Sequence, residues 1–154
     1  MNRTISNSIA HSEQNDLGEG VASQGDGITG RQVYGFELIL DLHGCEAELF
    51  NRDHIDKFFT DLCTLIKMEK CEVHFWDDVG VPEEERQTLP HTKGTSAVCF
   101  ILTSTIVIHT LDILGAVYVN IFSCKSFDPE VAAEFTSKRF KAASCKKTFI
   151  ERTL

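Results

Sequence analysis

No run of lysine or arginine occurs anywhere in the 154 residues, so nothing in the chain tracks a nucleic-acid backbone or an anionic membrane. The balance is acidic, 15 Lys+Arg against 23 Asp+Glu for a net charge of −8, which favours cationic ligands. Apolar stretches break well before the 18 residues that a bilayer-spanning helix needs. The first 33 residues, MNRTISNSIAHSEQNDLGEGVASQGDGITGRQV, lack the apolar core of a signal peptide and carry too many carboxylates for a transit peptide. Rich in Ser, Gly, Asn and acids, they read as a disordered tail ahead of one domain, 34–154. No CxxC pair joins Cys45, Cys63, Cys71, Cys99, Cys124 and Cys145, and several lie in apolar runs where a reduced thiol acts as a small hydrophobe. A soluble protein of a reducing cytoplasm is expected.

What is present is a set of strand and helix patterns. YGFELILDLHGC alternates, with Phe36, Leu38, Leu40 and Leu42 on one face and Glu37, Ile39, Asp41 and His43 on the other. DHIDKFFTDLCTLIKMEK sets Ile55, Phe58, Phe59, Leu62, Leu65 and Ile66 at helical spacing, with Asn51 or Asp53 available as N-cap. CEVHFW predicts a second strand, DDVGVPEEERQTLPHTKG a polar loop with a solvated EEE cluster, and SAVCFILT with STIVIHT one or two strands. GAVYVNIFSC follows, opened by a turn at Gly115; DPEVAAEFTSKRFKAA begins a helix with Asp128 as N-cap and Pro129 at the first helical position; CKKTFIER is the last strand. The order β-α-β-β-β(-β)-α-β predicts an α+β fold, a two-layer sandwich of antiparallel sheet with two helices on one face. The uncovered face, with Tyr118, Asn120, Phe122 and Cys124 on one side of their strand, predicts a homodimer that buries it.

Polar residues inside the apolar strands are the candidate site. Ser96 and Ser104 are eight apart, on one face if the strand is uninterrupted, whereas His109, five beyond Ser104, falls opposite unless the chain bends. Tolerated strand residues and a core thiol would account for them taken singly. A zinc site from His43, Cys45, His74, His91, His109 and Cys124 has only His43-x-Cys45 at close spacing, and no nucleophile-elbow glycines flank Ser104 to support a Ser104/His109/Asp112 triad.

Taken together, GFELILDLHGC (against GxxLxx(D/E)xxxC), GTSAV (against GVSGV), STIVIHT (against SHxxIHT) and GAVYVNIFSC (against a segment ending DxFTC) resemble the small prokaryotic S-adenosylmethionine decarboxylases. These are pyruvoyl enzymes of polyamine synthesis. The register runs without a gap from Lys93 to Cys124, and the resemblance extends from about Tyr34 to the C-terminus. It implies that Ser104 is the precursor of a pyruvoyl group, that the chain cuts itself between Thr103 and Ser104, that His109 and Ser96 assist processing, and that Cys124 is the catalytic acid. The pyruvoyl ketone would take the substrate α-amine as a Schiff base and act as electron sink for loss of CO2.

The chain also departs from the pattern. Thr103 and Thr105 stand where the family has Glu and His, Leu111-Asp112-Ile113 where it has WPE, Asn120 where it has Asp, and Pro90 near the position of an adenine-stacking aromatic. Asp112, Glu37 and Asp41 are carboxylates that could hold a substrate cation, so arginine or ornithine stands beside S-adenosylmethionine as an expected substrate. A non-catalytic homologue regulating an active partner is the alternative that the changed neighbours of Ser104 would suit.

Overall fold

A computed structural model describes residues 32–154; most of the N-terminal stretch read as a tail lies outside the described residues. Strand β1 (Val33–His43) opens the fold, followed by helix α1 (Arg52–Leu65), strands β2 (Val73–Trp76), β3 (Ser96–Ile101), β4 (Ser104–Leu111) and β5 (Ala116–Ser123), helix α2 (Pro129–Arg139) and strand β6 (Ser144–Thr153). All six strands form one antiparallel sheet in the order β2-β3-β4-β5-β1-β6. Both helices lie on one face, so the architecture is the expected α+β two-layer sandwich.

The alternation in β1 places Leu38, Leu40 and Leu42 fully inside, where they meet Ile106 and Ile108 of β4, Val117, Val119 and Ile121 of β5, and Ile55, Phe58, Phe59 and Leu62 of α1. Phe58 is the hub of an aromatic group, its ring 5.1 Å from Phe140 and 5.5 Å from Phe59. Truncating such a ring to alanine costs about 3–5 kcal/mol. Asn51 caps α1 by accepting the His54 amide at 2.9 Å, and Asp128 caps α2 by accepting the amides of Glu130 and Val131. Both caps satisfy amides that the first helical turn leaves without partners.

The sheet's other face is covered by neither helix. Glu37, Ile39 and Asp41 of β1, Val107 and His109 of β4, and Tyr118, Asn120 and Phe122 of β5 project there, by strand parity. Two places depart from the sequence reading. Ser96 and Ser104 do not share an uninterrupted strand: Leu102 and Thr103 form a two-residue turn between β3 and β4, with Ile101 paired to Ser104. The turn restarts the alternation, so Ser96 faces the open side and Ser104 the helix side. The EEE cluster is a short 3-10 turn, Glu83–Glu85, within the long β2–β3 connection.

That connection is pinned at its end by Gly94. A Cβ there would stand 1.8 Å from the Thr110 carbonyl oxygen, so only glycine permits the approach. The close fit lets the Thr95 amide donate to Thr110 Oγ1 and the Thr110 amide to the Thr95 carbonyl, both at 2.9 Å. The next residue pair in this register is Ser96 and His109.

Candidate active site

The polar strand residues gather into two groups at opposite ends of the β3–β4 hairpin. At the turn end, Ser104 is 5% exposed. Its Oγ accepts the Cys124 amide at 3.2 Å and donates toward Cys124 Sγ at 3.7 Å, while Thr103 Oγ1 lies 3.3 Å from the same sulfur. Cys124 follows the end of β5 and remains exposed. Hydroxyl contacts from Thr103 first, and then Ser104, hold its thiol below the ordinary cysteine range. A thiol so placed exchanges a proton more readily near neutral pH than an unperturbed one.

The turn itself is tight. Leu102 has φ of +57°, a left-handed conformation that two-residue hairpin turns normally give to glycine or asparagine. For a leucine it stores strain of order 1–3 kcal/mol one residue before the Thr103–Ser104 bond.

At the other end, Ser96 and His109 face each other across β3 and β4, with Ser96 Oγ 2.8 Å from His109 Nδ1. Five residues of strand separate His109 from Ser104, about 16 Å, and the two side chains leave opposite faces of β4. The structure therefore does not bring Ser104, His109 and Asp112 together within one chain. A cavity of about 700 Å³ lies over Ser96 and His109, lined also by Trp76, Tyr118, Asp77 and Glu85. Its volume is that of a site for a small organic ligand. Trp76 is 84% exposed, an unusual position for a large aromatic. Glu85 was hidden in the sequence: three consecutive acids in a polar loop look like solvated surface, and only the folding of that loop over the sheet brings one of them to the cavity.

The three carboxylates singled out for a substrate cation are elsewhere. Asp112 lines the neighbouring cleft with Arg52, Asp78 and Lys93, and burial pushes its carboxyl up, against the pull of Lys93 and with some push from Asp78. Glu37 accepts Asn120 Nδ2 at 2.8 Å and Arg152 Nη1 at 2.5 Å. The Asn120 hydrogen bond, opposed by burial and aided by Arg152, holds the Glu37 carboxyl below its usual value. Asp41 pairs in register with Tyr118 and Lys146 on the open face. Neither Glu37 nor Asp41 lines the cavity over His109. Among the described residues, no group of three or more His, Cys, Asp or Glu is arranged to hold a metal ion, and no helix is long and apolar enough to cross a membrane.

Residues 36–153 match the family model described as S-adenosylmethionine decarboxylase, over three quarters of the chain. The chain belongs to the S-adenosylmethionine decarboxylase family. It is thus a pyruvoyl-dependent decarboxylase by family, a carboxy-lyase. Curated relatives agree: the S-adenosylmethionine decarboxylase proenzyme of Caldicellulosiruptor saccharolyticus is 30% identical over 122 residues, covering 78% of this chain and 89% of the relative. The protein of the same name from Clostridium kluyveri is 28% identical over 120 residues, covering 77% and 86%. Among solved structures, the adenosylmethionine decarboxylase of Aquifex aeolicus superposes with a TM-score of 0.62 over 80% of this chain and 93% of its own, at 19% identity, which establishes likeness of fold. The relatives are named for S-adenosylmethionine and lend no support to arginine or ornithine as substrate, or to a non-catalytic regulator.

Proposed function

We propose that the chain is a self-processing decarboxylase of S-adenosylmethionine that serves polyamine synthesis in the cytoplasm, with Ser104 as the source of its pyruvoyl group. The observation that carries this reading is the placement of Ser104: it follows a strained two-residue turn, and its Oγ is held by the amide of Cys124. In the precursor, Ser104 Oγ adds to the Thr103 carbonyl carbon, and the amide shifts to an ester. Loss of the Ser104 α-proton then expels the Thr103 carboxylate and leaves dehydroalanine, which water converts to pyruvoyl with release of ammonia. The residues at the turn fit this chemistry: a serine stands there, its oxygen is oriented, and the preceding backbone is held in a tight two-residue turn. Thr103 enters only through its backbone carbonyl, so a threonine in place of the family's glutamate leaves the step intact.

The mature group supplies a ketone that binds the substrate amine and withdraws electrons from its α-carbon as CO2 leaves. Cys124 Sγ is the proton source for that carbon, since it lies beside both residues of the cut and has a lowered pKa. Trp76 and Tyr118 offer aromatic faces and Glu85 a carboxylate at the cavity over His109, replacing the aromatic and acid that Pro90 and Ile113 do not supply.

Ser96 and His109 serve the site of a second copy. Within one chain they lie about 16 Å from Ser104, but a twofold axis between two stacked open faces, halfway along β4, would place the His109 end of one protomer over the Thr103–Ser104 backbone and the exposed Cys124 of its partner, the Ser104 side chain itself facing the helices. The same packing would bury the open face that the helices leave uncovered.

Intact-mass measurement on purified protein tests the reading. The expected result is a fragment ending at Thr103 and one beginning with a blocked residue 104, with CO2 released from S-adenosylmethionine but not from arginine or ornithine. A chain that stays whole after long incubation would refute it.

A further inference from the structure

We propose that Cys71 is a positioning residue for self-cleavage, fixing the backbone of Leu102 by accepting its amide hydrogen. The amide of Leu102 donates to Cys71 Sγ at 3.3 Å. Leu102 needs such a hold, because its φ is +57° while its side chain is 69% exposed, so packing does not keep it there. Glycine would adopt that conformation without a partner; leucine does not.

Cys71 is itself well anchored. Its amide donates to the Phe100 carbonyl at 2.8 Å, and the Phe100 amide donates to the Glu72 carbonyl at 2.8 Å, which carries the β2–β3 ladder two residues past the start of β2. The sulfur is thereby set beside the end of β3, within reach of the first residue of the turn. The turn is tethered by a thiol on each side: Leu102 through Cys71 and Thr103 through Cys124. Cys124 is claimed by the reaction itself, whereas Cys71 touches neither Ser104 nor the Thr103 carbonyl in the hydrogen-bond network and acts through Leu102.

The role rests on the self-processing reading, and the experiment separates the two. Cleavage is followed by intact mass in freshly purified wild type, Cys71→Ala, Cys71→Ser and Cys71→Ala/Leu102→Gly. Cys71→Ala is expected to cleave about three- to tenfold more slowly, the scale of one hydrogen bond lost without a buried partner. Cys71→Ser, which keeps an acceptor, should cleave near the wild-type rate, and Leu102→Gly should recover most of the loss because glycine needs no hold. In uncleavable Ser104→Ala protein, adding Cys71→Ala should speed hydrogen exchange of the Leu102 amide, read by NMR, by a similar factor, with other turn amides little changed. A wild type that cleaves while Cys71→Ala keeps pace, with Leu102 exchange unaltered, overturns the role of Cys71 alone. A wild type that never cleaves overturns the processing reading and this role with it.

Discussion

The two ends of the β3–β4 hairpin are built differently. At the turn end, Thr103, Ser104 and Cys124 touch one another within a single chain, on a strained backbone and next to solvent. At the other end, Ser96 and His109 are joined by a 2.8 Å hydrogen bond and stand under a cavity, with Ser104 out of reach. On the proposed function the first group makes and breaks the bond at residue 104, and the second offers a histidine and a pocket to a partner copy. Polar types grouped together in sequence are thus divided by one hairpin into two separate groups, which the proposed dimer would join as half-sites.

The sharpest difference between the ends should appear on removing Ser104. Ser104→Ala should stay one chain and lose decarboxylation by at least about 10⁶-fold, the lower range of enzymic rate enhancement, while its thermal melt stays close to wild type. Cleaved Ser104→Ala protein, seen by intact mass, would remove the turn end from the chemistry.

A smaller but more informative loss is expected when the halves are damaged separately. His109→Ala, which should also slow self-cleavage, and Cys124→Ala should each, once cleaved, lower decarboxylation about 10²- to 10⁴-fold, the usual worth of a positioned acid or base. Where the two half-sites meet across a dimer, each single variant is inactive in both sites, yet a mixed dimer holds one intact site. Processed variants co-refolded in equal amounts should therefore recover about a quarter of wild-type activity. No recovery, in mixtures shown to exchange subunits by native mass spectrometry, would mean that His109 and Ser104 of one chain work without each other's partner copy.

Much of this arrangement was legible in the sequence. Strand alternation in β1, helical spacing from Ile55 to Ile66, and the caps Asn51 and Asp128 are local signals, and each local preference agrees with the fold. Parity also placed His109 opposite Ser104. The turn at Leu102–Thr103 was only half legible: SAVCFILT and STIVIHT read as one strand or two, because neither turn residue is a turn former and Leu102 is held by a cysteine 31 positions away. Glu85 was missed for a related reason: its place depends on Gly94 fixing the loop end against Thr110, a contact between distant backbones that residue type alone does not reveal.

The substrate end can be broken more gently. Glu85→Gln is expected to raise KM for S-adenosylmethionine about tenfold, with kcat falling less, if the carboxylate holds a hydroxyl or the sulfonium. Asp112→Asn should leave both constants within about twofold, since its cleft is not the one over His109. Steady-state kinetics of both variants decide the matter, and the reverse pattern would return the cation-binding role to Asp112.

The smallest effect concerns the open face that lies between the two ends. Glu37 accepts from Asn120 and Arg152 there, and both contacts favour the ionised carboxylate. Its folded pKa therefore lies below the unfolded value of about 4.3. A depressed acid contributes stability that is fully present above the unfolded pKa and is lost as pH falls through the folded one. Asn120→Ala should accordingly lower stability by about 1 kcal/mol at pH 7, and the gap to wild type should narrow below about pH 4 as Glu37 takes up a proton. Processing should remain unchanged, because Asn120 touches neither half-site in the hydrogen-bond network. Denaturant melts of the two proteins between pH 7 and pH 3 make the measurement. A gap that stays constant across that range would show that Asn120 acts by packing alone, with the charge on Glu37 playing no part.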